Sequence, residues 1–321
     1  MRVAVLGGGI SSEHEVSLRS AASVAAGLRE AGHETVEITI GRDGRWVADG
    51  EPVSFTPGGG LLGCDVVFPV LHGPGGEDGS VQGLLEVLDV PYAGSDVESS
   101  AVCMDKLVFK DLLARRGVPQ VDYCRAGEEG WREAVAGFGE PVWVKPARLG
   151  SSVGIAPATG PEELDRAVEE ARRHDPRVIV EAPGPGKEVE CSLLGNEDPA
   201  ASPPGEIVTK ASDWYDYEAK YAEGGMELRV PAGISESAGE RVRELARRVF
   251  TLCGCSGLAR CDFFVEGEKV LVNELNTIPG FTETSVYGKL FEADGIGYPE
   301  LCDRLIKLAV ERYETAKRFQ F

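Results

Sequence analysis

The chain has 321 residues, 42% hydrophobic and 27% charged, a balance typical of soluble globular proteins and long enough for two or three domains. Its 53 acidic and 33 basic residues give a formal net charge of −20, which argues against nucleic acid or an anionic membrane as the main partner. An anionic substrate would have to be gathered by a local basic cluster working against the overall field.

No apolar run approaches the roughly 20 residues of a membrane span. The start, MRVAVLGGGISSEHEVSL, lacks the apolar core of a signal peptide and reads directly as a strand, so a cytoplasmic protein with eight reduced cysteines is expected. Cys253-Gly-Cys255 followed by Cys261 matches no structural zinc spacing and is read as buried thiols.

Residues 2–6 predict a strand, Gly7-Gly8-Gly9 a turn, and the stretch from Ser11 or Ser12 to Gly32 a helix with a Ser12/Glu15 capping box. With a second strand over 34–40 this is the front of a doubly wound sheet, although the glycines do not fit G-x-G-x-x-G. A third strand over 65–71 ends in His72-Gly-Pro-Gly-Gly-Glu-Asp-Gly79, and a helix covers 80–88. Ligands in such folds collect at the carboxyl ends of strands, which is where Glu13 and His72 would both lie.

A boundary is expected near residue 100, then a helix over 104–116 containing Lys106, and short strands over 121–125, 141–145 and 153–157. Lys145 closes an apolar strand and is followed by Gly150, Ser151, Ser152 and Gly154. Small residues let backbone N–H groups approach a phosphate and a lysine adds a point charge, so this reads as a phosphate flap between two strands. A helix is predicted over 161–173. The Pro/Gly break from Glu181 to Gly186 leaves backbone groups free for a ligand. Residues 210–225, KASDWYDYEAKYAEGG, lack periodicity and suggest a lid with Lys220 and Tyr221 as its reaching residues. Amphipathic helices follow over 236–253 and 298–316.

Between those helices, 258–265 and 269–276 read as a hairpin. A three-residue turn from Gly267 to Lys269 would set Asp262 opposite Glu274 and Arg260 opposite Asn276. Two acids facing each other on a ladder need compensation, and all-oxygen donors of this kind suit Mg²⁺.

Taken in order, the motifs GGxSxEHEVSL (8–18), LHGxxGEDGxxQG (71–83), MDK (104–106), VKPxxxGSSVG (144–154), YDYEAKY (215–221), RxDFF (260–264) and NELNTxPGFTxTSxY (273–287) make the chain resemble the D-alanine–D-alanine ligases of the ATP-grasp superfamily. The resemblance implies an α/β and α+β architecture of three domains: an N-terminal doubly wound parallel-sheet domain over 1–100, a central ATP-grasp domain with the phosphate flap over 101–186, and a C-terminal ATP-grasp domain with lid and metal site over 187–321. It implies ATP-dependent ligation of two D-alanine molecules through an acyl phosphate, supplying peptidoglycan precursor. The alternative is another ATP-grasp carboxylate–amine ligase with a different amino-acid or D-lactate acceptor.

Carried over residue by residue, the resemblance makes Lys106 and Lys145 ATP-phosphate contacts, with Ser151, Ser152, Val153 and Gly154 closing over them. Glu181 and Glu188 would hold adenine and ribose, with backbone near Ala182 and Pro183 reading the adenine edge. Asp262, Glu274 and Asn276 would hold two Mg²⁺, which Mn²⁺ could replace. Arg260 and the Gly280 N–H would stabilise the tetrahedral oxyanion, and Lys220 would reach the transferring phosphate. Glu13 would bind the first D-alanine and join Ser151 and Tyr221 in a hydrogen-bond chain, while His72 and Ser285 would place the substrates. The expected partners are D-alanine and ATP, no nucleic acid and no membrane, in a homodimer.

Overall fold

The computed structural model describes residues 1–150, 153–209 and 226–319; Ser151, Ser152 and the whole expected lid, with Lys220 and Tyr221, lie outside these. The chain opens with β1 (Arg2–Gly8), α1 (His14–Glu30), β2 (Glu34–Ile40), β3 (Trp46–Ala48), β4 (Glu51–Pro52), β5 (Val66–Pro69), α2 (Ser80–Leu88) and α3 (Val97–Met104). Its sheet runs β4-β3-β2-β1-β5, with β1 parallel to β2 and β5, and an antiparallel ribbon from β3 and β4 extends one edge. That ribbon was not foreseen.

The expected capping box is not there. α1 starts at His14 with Glu13 in the N-cap position and no side-chain cap bond. Ser11 does other work: its hydroxyl donates to the His72 carbonyl (2.7 Å) and accepts the Glu13 N–H (3.2 Å), tying the helix entry to the chain leaving β5.

Next come α4 (Lys106–Arg115), β6 (Tyr123–Arg125), α5 (Trp131–Val135), β7 (Val142–Pro146), β8 (Ala156–Ala158), α6 (Gly160–Arg172) and β9 (Val178–Glu181), with an antiparallel sheet ordered β6-β9-β7-β8. The helix expected over 104–116 is α4, and α3 ahead of it was not foreseen. Asp105 sits in extended backbone between α3 and α4, and its carboxylate caps α4 by accepting from the Leu107 and Val108 N–H groups.

The last sheet is built from β10 (Lys187–Gly195), β11 (Ala200–Ala201), β12 (Gly205–Thr209) and β13 (Met226–Arg229), then α7 (Glu236–Leu252), β14 (Gly257–Glu266) and β15 (Lys269–Asn276). Its order is β13-β12-β10-β14-β15, all antiparallel, with β11 off to one side on β10. α7 lays Val242, Leu245, Ala246 and Val249 against it. Two helices, α8 (Val286–Ala293) and α9 (Tyr298–Ala316), close the chain. The apolar stripe of α9, Leu301, Leu305 and Ile306, packs with Val3, Leu28 and Phe68, so the C-terminal helix completes the core of the first sheet. Among the described residues no helix is long and apolar enough to cross a membrane. All eight cysteines are free thiols.

Candidate active site

The three sheets meet at a cleft of about 1400 Å³, and nearly every described residue singled out from the sequence lines it. One wall is basic. Lys106 opens α4, its backbone N–H bonded to the Ala147 carbonyl and its ammonium donating to the Leu149 carbonyl (2.8 Å), so it sits beneath the turn that follows β7. That turn is anchored by Arg148, which makes a two-pronged pair with Asp175 (2.8 and 3.0 Å). Val153 continues the turn, its N–H reaching the Gly150 carbonyl. Gly154 has φ +71°, and a Cβ there would lie 2.6 Å from the His174 ring, so only glycine fits.

Lys145 projects from β7 and pairs with Glu181 at the end of β9 (2.6 Å). Glu181 is also paired with Lys110, one turn after Lys106 on α4 (3.1 Å). Burial alone would raise the Glu181 carboxyl, but the two ammonium groups reverse this and hold it down at about 2. Burial lowers Lys106 and Lys110; for Lys145 the opposing pull of Glu181 and Glu274 wins, and it is raised.

The opposite wall is the β14–β15 hairpin. Asp262 does face Glu274, and Arg260 faces Asn276. The reason differs from the one expected: the turn is two residues, since Glu266 pairs with Lys269, and a bulge at Asn273 restores the register. Arg260 grips both oxygens of Asp262 (2.7 Å each) and also pairs with Glu190 from β10 (2.9 Å). Those carboxylates outweigh burial and raise the guanidinium well above its ordinary value. The Asn276 amide donates to Asp262 (3.0 Å). Glu188 reaches the same cleft from β10, opposite Phe264.

Among the described residues no group of three or more His, Cys, Asp or Glu side chains is placed to hold a metal ion. The donor set on the hairpin is instead two carboxylates and an amide, with the Arg260 guanidinium, shared with Glu190, offsetting only part of their charge. Turning the Asn276 amide over would present its oxygen beside Asp262, and an all-oxygen set of this kind suits Mg²⁺ that keeps phosphate oxygens in its shell. The residues fit the ion.

The first sheet supplies the third wall, with Glu13, His72 and Glu77. Both His72 ring nitrogens are engaged: Nδ1 donates to the Ile278 carbonyl (3.0 Å), which leaves Nε2 to accept from Ser20 (3.4 Å). Burial lowers its pKa, more than Glu13 raises it. Ser20 also accepts the Phe281 N–H (3.5 Å). His72 and Ser20 thus hold the Ile278–Phe281 loop at both ends, with Gly280 between them. Glu77 accepts the Gly73 N–H (2.6 Å); burial first, then the charge of Glu13, push its carboxyl up to about 8. Ser285 precedes α8, and its hydroxyl accepts the Thr282 N–H (3.0 Å) close to Gly280.

Just past β9, the Ala182 N–H is taken by the Asp122 carbonyl (2.8 Å) and Pro183 has none, so these two residues offer carbonyl acceptors only. Gly184 lies under the Phe264 ring, where a Cβ would come within 2.5 Å. Four residues went unassigned from the sequence, Glu77 and Glu190 lining the cleft and Lys110 and Ser20 buried behind it. Lys110 could have been found from its i+4 spacing to Lys106, and Glu190 from sharing a strand face with Glu188. Glu77 stood in a quoted motif without a role. Ser20 carried no signal.

Comparison with known proteins gives one answer over the whole chain. A family model for the D-ala D-ala ligase C-terminus matches residues 112–307, and one for the N-terminus matches 2–59 and 51–95. A D-alanine–D-alanine ligase of Deinococcus radiodurans is 47% identical, covering 97% of this chain and 98% of the relative. That of Solibacter usitatus is 44% identical over 100% and 99%. Among solved structures, the D-alanine–D-alanine ligase of Coxiella burnetii superimposes with a TM-score of 0.89 at 36% identity, covering 99% of this chain and 96% of that one. The VanG D-Ala:D-Ser ligase of Enterococcus faecalis gives 0.86 at 34% identity, over 96% and 99%.

Proposed function

The chain belongs to the D-alanine–D-alanine ligase family, and from that membership we propose how its own residues carry the reaction. The protein is an ATP-dependent ligase that joins two D-alanine molecules, within the three-sheet ATP-grasp architecture. The observation that carries the mechanism is the facing of Lys106 and Lys145 on one wall by the Arg260, Asp262, Glu274 and Asn276 patch on the other.

In this reading the lysine wall takes the ATP phosphates, with Ser151, Ser152 and Val153 closing over them, and Glu188 takes the ribose. Glu181 and the carbonyls around Ala182 and Pro183 take the adenine edge. Asp262, Glu274 and Asn276 would hold two Mg²⁺. Bound there, the ions screen the phosphate oxygens during phosphoryl transfer. Glu13 holds the ammonium of the first D-alanine. Its carboxylate attacks the γ-phosphorus, ADP leaves, and an acyl phosphate forms. The amine of the second D-alanine, placed by Ser285, then attacks the acyl carbon. Arg260 and the Gly280 N–H receive the oxyanion, and phosphate departs as the amide forms. Lys220 and Tyr221 in the lid stretch would keep water from the acyl phosphate.

His72 takes a changed part. With both ring nitrogens committed to Ile278 and Ser20, it positions the Gly280 loop rather than touching substrate. The proposed division at residues 1–100, 101–186 and 187–321 is supported by one sheet falling in each part, although the first cut lies inside α3 and α9 packs back on the first sheet. We assign the protein to the cytoplasm on its opening strand without a signal-peptide core, away from nucleic acid and anionic membrane on its charge of −20, and to a homodimer on its family.

The test is ADP release with Mg·ATP and D-alanine, set against L-alanine, bicarbonate, and D-serine or D-lactate as second substrate. D-alanine alone should suffice, and D-alanyl-D-alanine should be the product by mass. Preferential formation of a D-alanyl-D-serine or D-alanyl-D-lactate product would overturn the second-site assignment.

A further inference from the structure

Lys110 is a buried cation without a part in the mechanism above. Its side chain is only 1% exposed, and its ammonium lies 3.1 Å from one oxygen of Glu181 while Lys145 holds the other at 2.6 Å. The two lysines differ in access: Lys145 is 12% exposed and stands at the cleft, whereas Lys110 is sealed between α4 and β9, with the Tyr123 ring 5.9 Å away. A lysine that turns to a phosphate must release its carboxylate, and a buried carboxylate left without a partner is strongly unfavourable.

We propose that Lys110 is a positioning residue of the nucleotide site: it is the standing counter-charge of Glu181 that frees Lys145 to move onto ATP. This rests on the nucleotide reading of the cleft. The groups facing Glu181 are Lys110 and Lys106 from α4 and Lys145 from β7, while Glu274 of β15 and Glu188 of β10 face Lys145. With ATP bound, Lys110 keeps Glu181 ionised and aimed at the adenine end. Without Lys110, Glu181 would have to take up a proton each time Lys145 left it.

The ATP KM and kcat of Lys110→Met, Lys110→Arg, Glu181→Gln and Glu181→Gln/Lys110→Met, measured from pH 6 to 9 at saturating D-alanine, test this. Lys110→Met should raise the ATP KM about tenfold or more at pH 8 and alter kcat far less. Its KM should fall with falling pH, by at most about tenfold per unit, since a proton on Glu181 replaces the lost cation. Wild type and Lys110→Arg should show no such slope. The double variant should match Glu181→Gln, because a neutral partner needs no counter-charge.

A KM for Lys110→Met that rises without a pH slope would overturn the proposal. So would a double variant worse than Glu181→Gln by the factor that separates Lys110→Met from wild type. Should Lys110→Met fail to fold, the comparison of Glu181→Gln with the double variant decides alone. Lys145→Met serves as control: an unchanged ATP KM there would overturn the nucleotide site itself rather than the part given to Lys110.

Discussion

Glu77, half-buried, and Glu181, fully buried, are acids of one cleft whose acidities part in opposite directions. Burial raises both; two lysines reverse the effect at Glu181, while the neighbouring charge of Glu13 reinforces it at Glu77. Their effects on stability therefore have opposite signs. Glu77, raised from 4.5 to about 8, gives stability that is fully present below pH 4.5 and lost as pH rises through about 8. Glu181, lowered to about 2, gives stability present above pH 4.5 and lost as pH falls through 2. Between pH 6.5 and 8, where His72 with its lowered pKa is neutral folded and mostly neutral unfolded, urea unfolding should show stability declining with pH, and Glu77→Gln should flatten that decline. For Arg260→Ala, kcat should fall by about 10²–10³ while the ATP KM moves within about threefold. Equal losses in both would contradict an oxyanion role.

Among the elements, the hairpin shows how a register can be read correctly for the wrong reason. Period-2 alternation puts Arg260 with Asp262 and Glu274 with Asn276 whatever the turn, and only the offset between the strands needed the turn length. A two-residue turn with a bulge and a three-residue turn without one give the same offset beyond the bulge, so sequence could not separate them. α3 went unread because its eight residues are too few for a clear apolar period, and the N-cap that Asp105 gives α4 shows only in the backbone dihedrals and the bonds to Leu107 and Val108. Asp105 also pairs with Arg177 at the base of β9. Asp105→Ala should cost about 2–4 kcal/mol in urea unfolding and raise the ATP KM, since it loosens the helix that carries Lys106 and Lys110. Ser20→Ala, which releases the Gly280 loop at one end, should lower kcat and leave the ATP KM near wild type.

For the molecule as a whole, most strands and long helices were legible from periodicity, and the motif order carried the family. What sequence could not show was closure in space. α9 packs on α1 and the first sheet although nearly the whole chain lies between them, and Phe281 stacks against Phe68 (5.5 Å), pinning the Gly280 loop to the N-terminal core. Likewise the pairing of Lys110 with Glu181 joins residues 71 positions apart, a distance that no local pattern reports. The cleft gathers Lys106 and Lys145, with Lys110 buried behind them, inside a protein of net charge −20, the local basic cluster that an anionic nucleotide needs.

The most direct measurement starts from D-alanine carrying ¹⁸O in its carboxylate, turned over with Mg·ATP, with the released phosphate analysed by mass. Activation of the carboxylate by phosphoryl transfer in this cleft predicts one ¹⁸O in each phosphate formed. Phosphate released without the label, while dipeptide accumulates, would contradict it.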